Sequence, residues 1–384
     1  MRVLHLLKTA VGASWALRQT YELVKLGVEV HLALPDGPMV EKYQAAGVTV
    51  HIFDPSVNLG RPWKNIPQIK TLRTIVKAVQ PDLIHSHFVA TTLLMRLALR
   101  GSNIPRIFHV PGPLHLEHSL FRNMELCLSK AQDYWLASCL WTRNKYIQCG
   151  IEPDKVGLAY YGVNADDFLF QSAPDKTLKD QLGLAKSDFL IGMVAYFYAP
   201  KKYLGQTRGL KGHEDLIDAV AIVKRQYPNV KCVFVGGPWG NTQAYFEQVK
   251  AYAKQQTAES CIFLGLRNDV PQLYPQFDLA VHPSHSENVG GAVESMYAQV
   301  ATLTSDVGGF PDLVKDGETG YMAPAKSPEH LAKKMIEAIE NPQERERRVK
   351  QGLEKVTQVM NVQHNAKQVH DFYSHIIKRE ATIA

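Results

Sequence analysis

Cysteine is sparse in this 384-residue chain, and the five present (Cys127, Cys139, Cys149, Cys232 and Cys261) stand singly. With no CxxC pair there is no ligand spacing for a structural zinc site, so no metal is expected. An odd, scattered set also argues against a disulfide framework, and buried thiols in a reducing cytosol are the expectation. Long apolar runs are missing too: none reaches the ~18 residues of a membrane-spanning helix. The opening MRVLHLLKTAVG is broken by His5 and ended by Lys8, so it lacks the apolar core of a signal peptide. The chain has no Lys/Arg-rich run, aromatic–basic repeat or low-complexity segment, which argues against nucleic acid as a partner and against a fibrous or disordered chain. It carries no P-loop Gly-Lys-Ser/Thr, and Gly236-Gly-Pro-Trp-Gly240 does not match the GxGxxG of nicotinamide enzymes.

What remains is an ordinary globular composition, 45% hydrophobic and 21% charged, long enough for about two domains. The net charge of +6 is uneven. Residues 1–168 hold 18 basic and 13 acidic side chains, whereas residues 169–384 hold 25 and 24. A basic first half suits an anionic partner, such as a phosphorylated substrate or an acidic membrane surface.

The hydrophobic pattern alternates between strand and helix. Strands are expected at Val3–Leu7, Val28–Leu34, Val48–Phe53, Asp82–His85, Arg106–Val110 and Tyr134–Ala137, with helices between them. A linker is expected near residues 168–188, around Phe168, Pro174, Asp175 and Lys176. A second alternating unit follows, with strands at Phe189–Tyr196, Cys232–Val235, Cys261–Leu264, Leu279–His282 and Ala301–Thr304, and helices such as His213–Gln226. The tail from Val362 reads as an amphipathic helix. This rhythm implies an α/β protein of two doubly wound, parallel-sheet domains facing across a cleft. The expected boundaries are 1–170 and 186–361, with the tail helix (about 362–384) packing back toward the first domain. In such sheets ligands bind beyond the carboxyl ends of the strands, so the chemistry belongs in the loops that follow them.

Three loops carry it. His282-Pro-Ser-His-Ser-Glu-Asn-Val-Gly-Gly-Ala-Val-Glu-Ser-Met follows a strand and opens a helix. Gly290 and Gly291 let backbone approach a ligand, and free amides at a helix start suit a phosphate. Glu294, expected in the first turn, is placed to accept hydrogen bonds from a ribose diol, and Glu287 to hold sugar hydroxyls. In the second loop, Arg208-Gly-Leu-Lys-Gly-His-Glu-Asp, Lys211 is placed to neutralise a pyrophosphate. The basic–aromatic stretch from Tyr198 before it is expected to reach over the cleft. The third loop, Val307 to Gly320, contains the Gly308-Gly309 turn and reads as mostly structural.

Taken in order, these pieces resemble the retaining, nucleotide-sugar-dependent glycosyltransferases of family 4, with the GT-B fold. The resemblance covers nearly the whole chain. It rests on the Gly12 loop, Gln80-Pro-Asp-Leu-Ile-His-Ser-His, Tyr161-Gly-Val-Asn-Ala-Asp-Asp-Phe, Lys211-Gly-His, Phe263-Leu-Gly-Leu-Arg-Asn-Asp-Val, Pro283-Ser, Glu294 and the Gly308-Gly309 turn. It implies that Lys211 binds the donor diphosphate and Glu294 the ribose. The amides of Asn288, Val289, Gly290 and Gly291 would face phosphate or sugar. Arg267 and Asn268 would line the nucleobase pocket, and Gly12 would approach the diphosphate from the first domain.

The chain departs from the family pattern in four places. Six residues, not seven, separate Glu287 from Glu294. Tyr196 stands where the family carries an arginine, leaving Arg208, Lys201 or Lys202 as the second cation. Gly12-Ala13 replaces two glycines. Pro111 takes a histidine's position, so His109, His115 or His118 would supply the imidazole. The candidate catalytic set is thus Lys211, Glu287, Arg208 and His115.

The resemblance implies metal-independent transfer, with no cofactor beyond a nucleoside diphosphate sugar (UDP preferred over GDP), to a lipid-linked or growing cell-surface glycan. Lys70, Arg73 and Lys77 share a helical face that suits peripheral contact with an anionic membrane, on its cytoplasmic side. The competing readings are an epimerase or hydrolase on the same scaffold, and a catalytically inactive nucleotide-sugar sensor.

Overall fold

The computed structural model describes residues 1–58, 60–110, 112–165, 168 and 176–383. Pro111 and the linker residues Pro174 and Asp175 lie outside the described residues. The chain forms two compact units, Met1–Val163 with Met360–Ala384, and Asn164–Val359.

The first unit is built on a seven-stranded parallel sheet. Its strands are β1 (Arg2–Leu6), β2 (Glu29–Leu34), β3 (Thr49–Ile52), β4 (Leu83–Ser86), β5 (Arg106–Val110), β6 (Asp133–Ala137) and β7 (Val156–Leu158), in the order β3-β2-β1-β4-β5-β6-β7. Period-two alternation divides β1 between two cores. Val3 joins Leu23, Val369 and Tyr373 on one face, whereas Leu4 and Leu6 join Leu72, Val76 and Leu94 on the other. The tail helix, Val362–Ile383, supplies Val369, Tyr373 and Ile376 to the first of these cores, and so belongs to the amino-terminal unit despite its place in the sequence.

The second unit carries β8 (Phe189–Val194), β9 (Val230–Val235), β10 (Cys261–Gly265), β11 (Leu279–His282), β12 (Thr302–Ser305) and β13 (Tyr321–Ala323). All pairings are parallel, in the order β10-β9-β8-β11-β12-β13. Ile191 and Met193 of β8 face one core and Leu190 the other. The expected linker needs correction here. Residues 176–188 are part of this unit, because the helix Leu178–Gln181 buries Leu178 completely among Tyr274, Phe277 and Leu273. A Thr177 side chain that accepts from the Asp180 amide starts that helix. The thiols also differ from expectation: Cys139 and Cys232 are buried, but Cys127 is exposed.

Each sheet has one switch point, between β1 and β4 and between β8 and β11, where consecutive crossovers leave in opposite directions. Loops that follow these strands are where an open parallel sheet holds ligand. No helix among the described residues is long and apolar enough to cross a membrane.

Candidate active site

The switch point of the second unit is flanked by the loop after β8, residues 195–212, and the loop after β11, residues 283–289. Both end in helices, His213–Val223 and Gly290–Tyr297. Backbone contacts bind the loops tightly. The His285 amide donates to the Leu210 carbonyl at 2.8 Å. Gly212 has φ +74°, and a Cβ there would fall 2.1 Å from the Pro283 carbonyl oxygen, so only glycine fits.

This approach brings Lys211 and Glu287 together as an ion pair with both side chains largely buried. Burial alone would lower the Lys211 pKa, but the facing carboxylate more than offsets it and holds the ammonium above its ordinary value. Glu287 also accepts from the Asn288 amide at 3.0 Å, and its carboxyl carbon lies 3.1 Å from where a Gly290 Cβ would stand. The helix that begins at Gly290 has no side-chain cap and no acid in its first turn. Its amino-terminal end is therefore electropositive and beside the lysine, an arrangement suited to a diphosphate. Gly291 is required for a different reason: a Cβ would meet the His282 ring at 2.7 Å. His282 in turn is fixed by Ser295 Oγ at 3.1 Å, and burial lowers its pKa to about 4.

Glu294 stands in the second turn of the helix, not the first, being its fifth residue. There the Tyr274 hydroxyl donates to it at 3.2 Å. Val289 is buried at the cap position. Arg267 and Asn268 lie on the turn after β10, where the Arg267 guanidinium is drawn to Asp269 at 2.7 Å and Asn268 is exposed.

Arg208 requires a correction. It does not stand as an open second cation beside Lys211. Its guanidinium binds Asp215 at 2.6 Å and Asp218 at 2.7 Å, and these carboxylates hold its pKa up against the lowering effect of burial. Asp215 is buried and also takes His285, so one carboxylate ties the lysine loop to the glutamate loop. Burial would raise the Asp215 pKa, but His285 and Arg208 outweigh it and keep the carboxylate ionised. In the sequence Asp215 and His285 stand only as neighbours of other candidates. They are separated by 70 positions, and nothing in their spacing signals a pair. Lys201 and Lys202 are exposed in the stretch before Arg208.

Two candidates belong to the first unit. Gly12, with φ +71°, turns the loop after β1, and no atom lies within 4 Å of the position its Cβ would take. His115 is packed, not presented. Its Nε2 lies 3.1 Å from the Tyr146 hydroxyl, and burial lowers its pKa to about 4. His109 is fully buried with its Nε2 donating to the Ala159 carbonyl at 3.1 Å, while His118 lies against Phe121.

A cluster that the sequence did not announce lies beneath this loop. β1 and β4 align His5 with His85, and His87 follows on the same side. His5 Nδ1 lies 2.9 Å from His87 Nε2, and His5 Nε2 lies 3.3 Å from the Tyr373 hydroxyl, which also bonds His85. All three rings are fully buried, and burial holds His5 at about 3 and the other two far below their usual value. They are the one group of three metal-type donors among the described residues, with one ring nitrogen each within 4.8 Å of the others. Five of their six ring nitrogens already have partners in one another or in Tyr373 and Tyr161.

The geometry therefore offers a lysine, a helix terminus and two carboxylates at one switch point. A family model described as "Glycosyl transferases group 1" matches residues 202–355, and one described as "Glycosyltransferase Family 4" matches residues 13–167. The chain belongs to glycosyltransferase family 4. It is similar to the D-inositol 3-phosphate glycosyltransferase of Streptomyces scabiei, 30% identical over 282 residues, 68% of this chain and 60% of that one. It is also similar to the UDP-Gal:alpha-D-GlcNAc-diphosphoundecaprenol alpha-1,3-galactosyltransferase of Escherichia coli, 24% identical over 276 residues, 67% and 68% of the two chains. Among solved structures, Anabaena HepE in complex with UDP has a TM-score of 0.80 at 22% identity, covering 97% of this chain and all of that one. The protein is thus an enzyme, a glycosyltransferase of the GT-B fold. In this glycosyltransferase the six-residue spacing from Glu287 to Glu294 still brings Glu287 to the lysine, because the 283–289 loop is drawn toward Leu210 and Gly212.

Proposed function

We propose that this glycosyltransferase moves a hexose or N-acetylhexosamine from a UDP-sugar to a hydroxyl of a lipid-linked or growing surface glycan, with retention at the anomeric carbon. The observation that carries the donor reading is the pairing of Lys211 with Glu287 beside the uncapped start of the 290–297 helix. A diphosphate arriving there takes the ammonium, and the helix amides take its remaining charge. Glu287, released from the lysine, accepts hydrogen bonds from the transferred sugar, and Glu294 holds the ribose. The bond from the anomeric carbon to the β-phosphate oxygen then breaks while the acceptor oxygen attacks the same face. The acceptor proton passes to the departing phosphate oxygen. Lys211 and the amides stabilise the charge that develops on that phosphate. The reading needs no metal.

Support for UDP over GDP comes from the complex of HepE with UDP and the UDP-Gal named for the Escherichia coli relative. The acceptors named for the two relatives, an inositol phosphate and a diphospholipid, are both anionic. That agrees with the basic charge of residues 1–168. Lys70 and Lys77 are exposed on the helix Ile66–Val79, with Trp63 and Ile66 exposed at its start, which supports contact with an anionic bilayer surface on the cytoplasmic side.

Calorimetric titration with UDP, GDP and ADP, with and without EDTA, tests the donor site. The expected result is EDTA-insensitive binding of UDP that Lys211→Ala and Glu294→Ala both weaken. A folded protein that binds none of the three removes the donor site and favours a different ligand. The anomeric configuration of the product, read by NMR, tests retention.

A further inference from the structure

At the carboxyl ends of β8, β9 and β10 the backbone is laced into a rigid shelf. The Phe197 amide donates to Gly237 O at 2.9 Å, the Trp239 amide to Phe197 O at 3.1 Å, and the Gly236 amide to Gly265 O at 2.8 Å. The Thr242 hydroxyl reaches the carbonyls of both Phe197 and Trp239, at 2.9 and 3.0 Å. Gly236, at φ +142°, passes so close to Ala195 O that a Cβ would fall 2.0 Å from it.

Large side chains on this shelf face water. Tyr196 is 42% exposed, Trp239 53% and Leu266 65%. The Tyr196 and Trp239 rings meet edge to face at 5.0 Å, and the Tyr198 ring lies 5.6 Å from Trp239. The Lys211 ammonium sits 5.9 Å from the centre of the Tyr198 ring. An aromatic row therefore runs from the lysine over Tyr198 to Trp239 and Tyr196, and the 266–268 turn closes on the same shelf, where a Gly237 Cβ would fall 2.9 Å from Leu266 Cγ. Aromatic side chains of this size normally gain by burial, and single exposed ones need no explanation. A row of them, with Tyr196 and Trp239 open to water on a backbone held by these hydrogen bonds, is a preformed stacking surface.

We propose that Trp239, flanked by Tyr196, is the stacking platform for the nucleobase of the donor. The inference rests on the nucleotide-sugar reading above. With the diphosphate on Lys211, the ribose and phosphates have one ammonium-to-ring step of 5.9 Å and one ring-to-ring step of 5.6 Å to bridge before the base meets the indole. Stacking accepts any base through its π face. The platform therefore supplies affinity, and discrimination between bases falls to the polar groups of the 266–268 turn.

The test is titration of the full chain with UDP, UDP-glucose and inorganic pyrophosphate, by calorimetry and by tryptophan fluorescence. UDP is expected to quench the wild-type signal. Trp239→Phe abolishes most of that quench while binding persists, and Trp63→Phe leaves it intact. Trp239→Ala weakens UDP by roughly 5- to 150-fold but leaves pyrophosphate within twofold, and Tyr196→Ala has a smaller effect in the same direction. UDP affinity unchanged in Trp239→Ala overturns the platform. So does an equal loss for pyrophosphate, which would place the effect on the lysine loop, or a loss confined to UDP-glucose, which would assign the ring to the sugar. A wild-type chain that binds pyrophosphate but not UDP overturns the nucleotide reading, and the platform with it.

Discussion

Lys211 shows how one side chain is made ready for an anion. It is kept charged in a largely buried place by Glu287, and a ligand that replaces that carboxylate inherits a desolvated ammonium. A hydrogen bond to a charged group contributes about 1.5–3 kcal/mol. Lys211→Ala should therefore weaken UDP by roughly 10- to 150-fold in calorimetry, whereas Lys211→Arg, which keeps the charge, should recover part of it. The glycines at this site are as specific as the charged groups. Gly212→Ala places a Cβ against a backbone carbonyl at positive φ, where neither the chain nor the neighbour can give easily. It should destabilise the protein by about 1–3 kcal/mol in urea unfolding, and an unchanged midpoint would show that the two loops part readily. Asp215→Asn loosens the same junction from the other side. It should raise the KM for the donor more than it lowers kcat, since Asp215 positions the lysine loop and meets no reacting atom.

At the level of elements, β1, β4 and the tail helix together create something none of them shows alone. β1 and β4 place His5 beside His85, and the tail helix adds the Tyr373 hydroxyl that bridges them. With His87 and His109 they form a fully buried set of neutral imidazoles whose pKa values are depressed by burial, His5 and His109 to about 3. The unfolded chain protonates these groups below about 6.5, the folded one does not, so protons favour unfolding throughout that range. This contribution is complete above pH 6.5 and is lost progressively as pH falls toward 3, by up to about 1.4 kcal/mol per pH unit for each histidine. Urea unfolding at pH 7 and pH 5 should show a clear loss at the lower pH. Equal stability at both would mean that the cluster is hydrated and free to protonate.

For the whole molecule, chain order and spatial order part company at residue 360. The last 25 residues return to the first unit, where Val369, Tyr373 and Ile376 are fully buried. Fully burying an apolar side chain contributes about 1.5–3 kcal/mol, so these three represent a sum comparable to the net stability of an ordinary domain. Truncation after Asn361 should therefore abolish cooperative unfolding of the 1–163 unit. The 164–359 unit should remain protected in limited proteolysis, and a truncated chain whose 1–163 unit resists protease would overturn this.

Much of this was legible from residues alone. Short apolar runs separated by helical ones mark every strand of both sheets except the short β7 and β13, and the ordered glycine, lysine and glutamate motifs announce a family 4 glycosyltransferase. Those signals are local, because strand, helix and tight turn are decided within a few residues by side-chain shape and backbone freedom. The engagement of Arg208 by Asp215 and Asp218, the clasp of His285 on Asp215, the histidine cluster under β1 and the aromatic shelf on β8–β10 were not legible. They join residues from seven to hundreds of positions apart, and such pairings carry no periodicity. The ring and charge contacts exist only once the sheets bring distant strand ends together, and it is there that burial decides which charges persist and which imidazoles stay neutral.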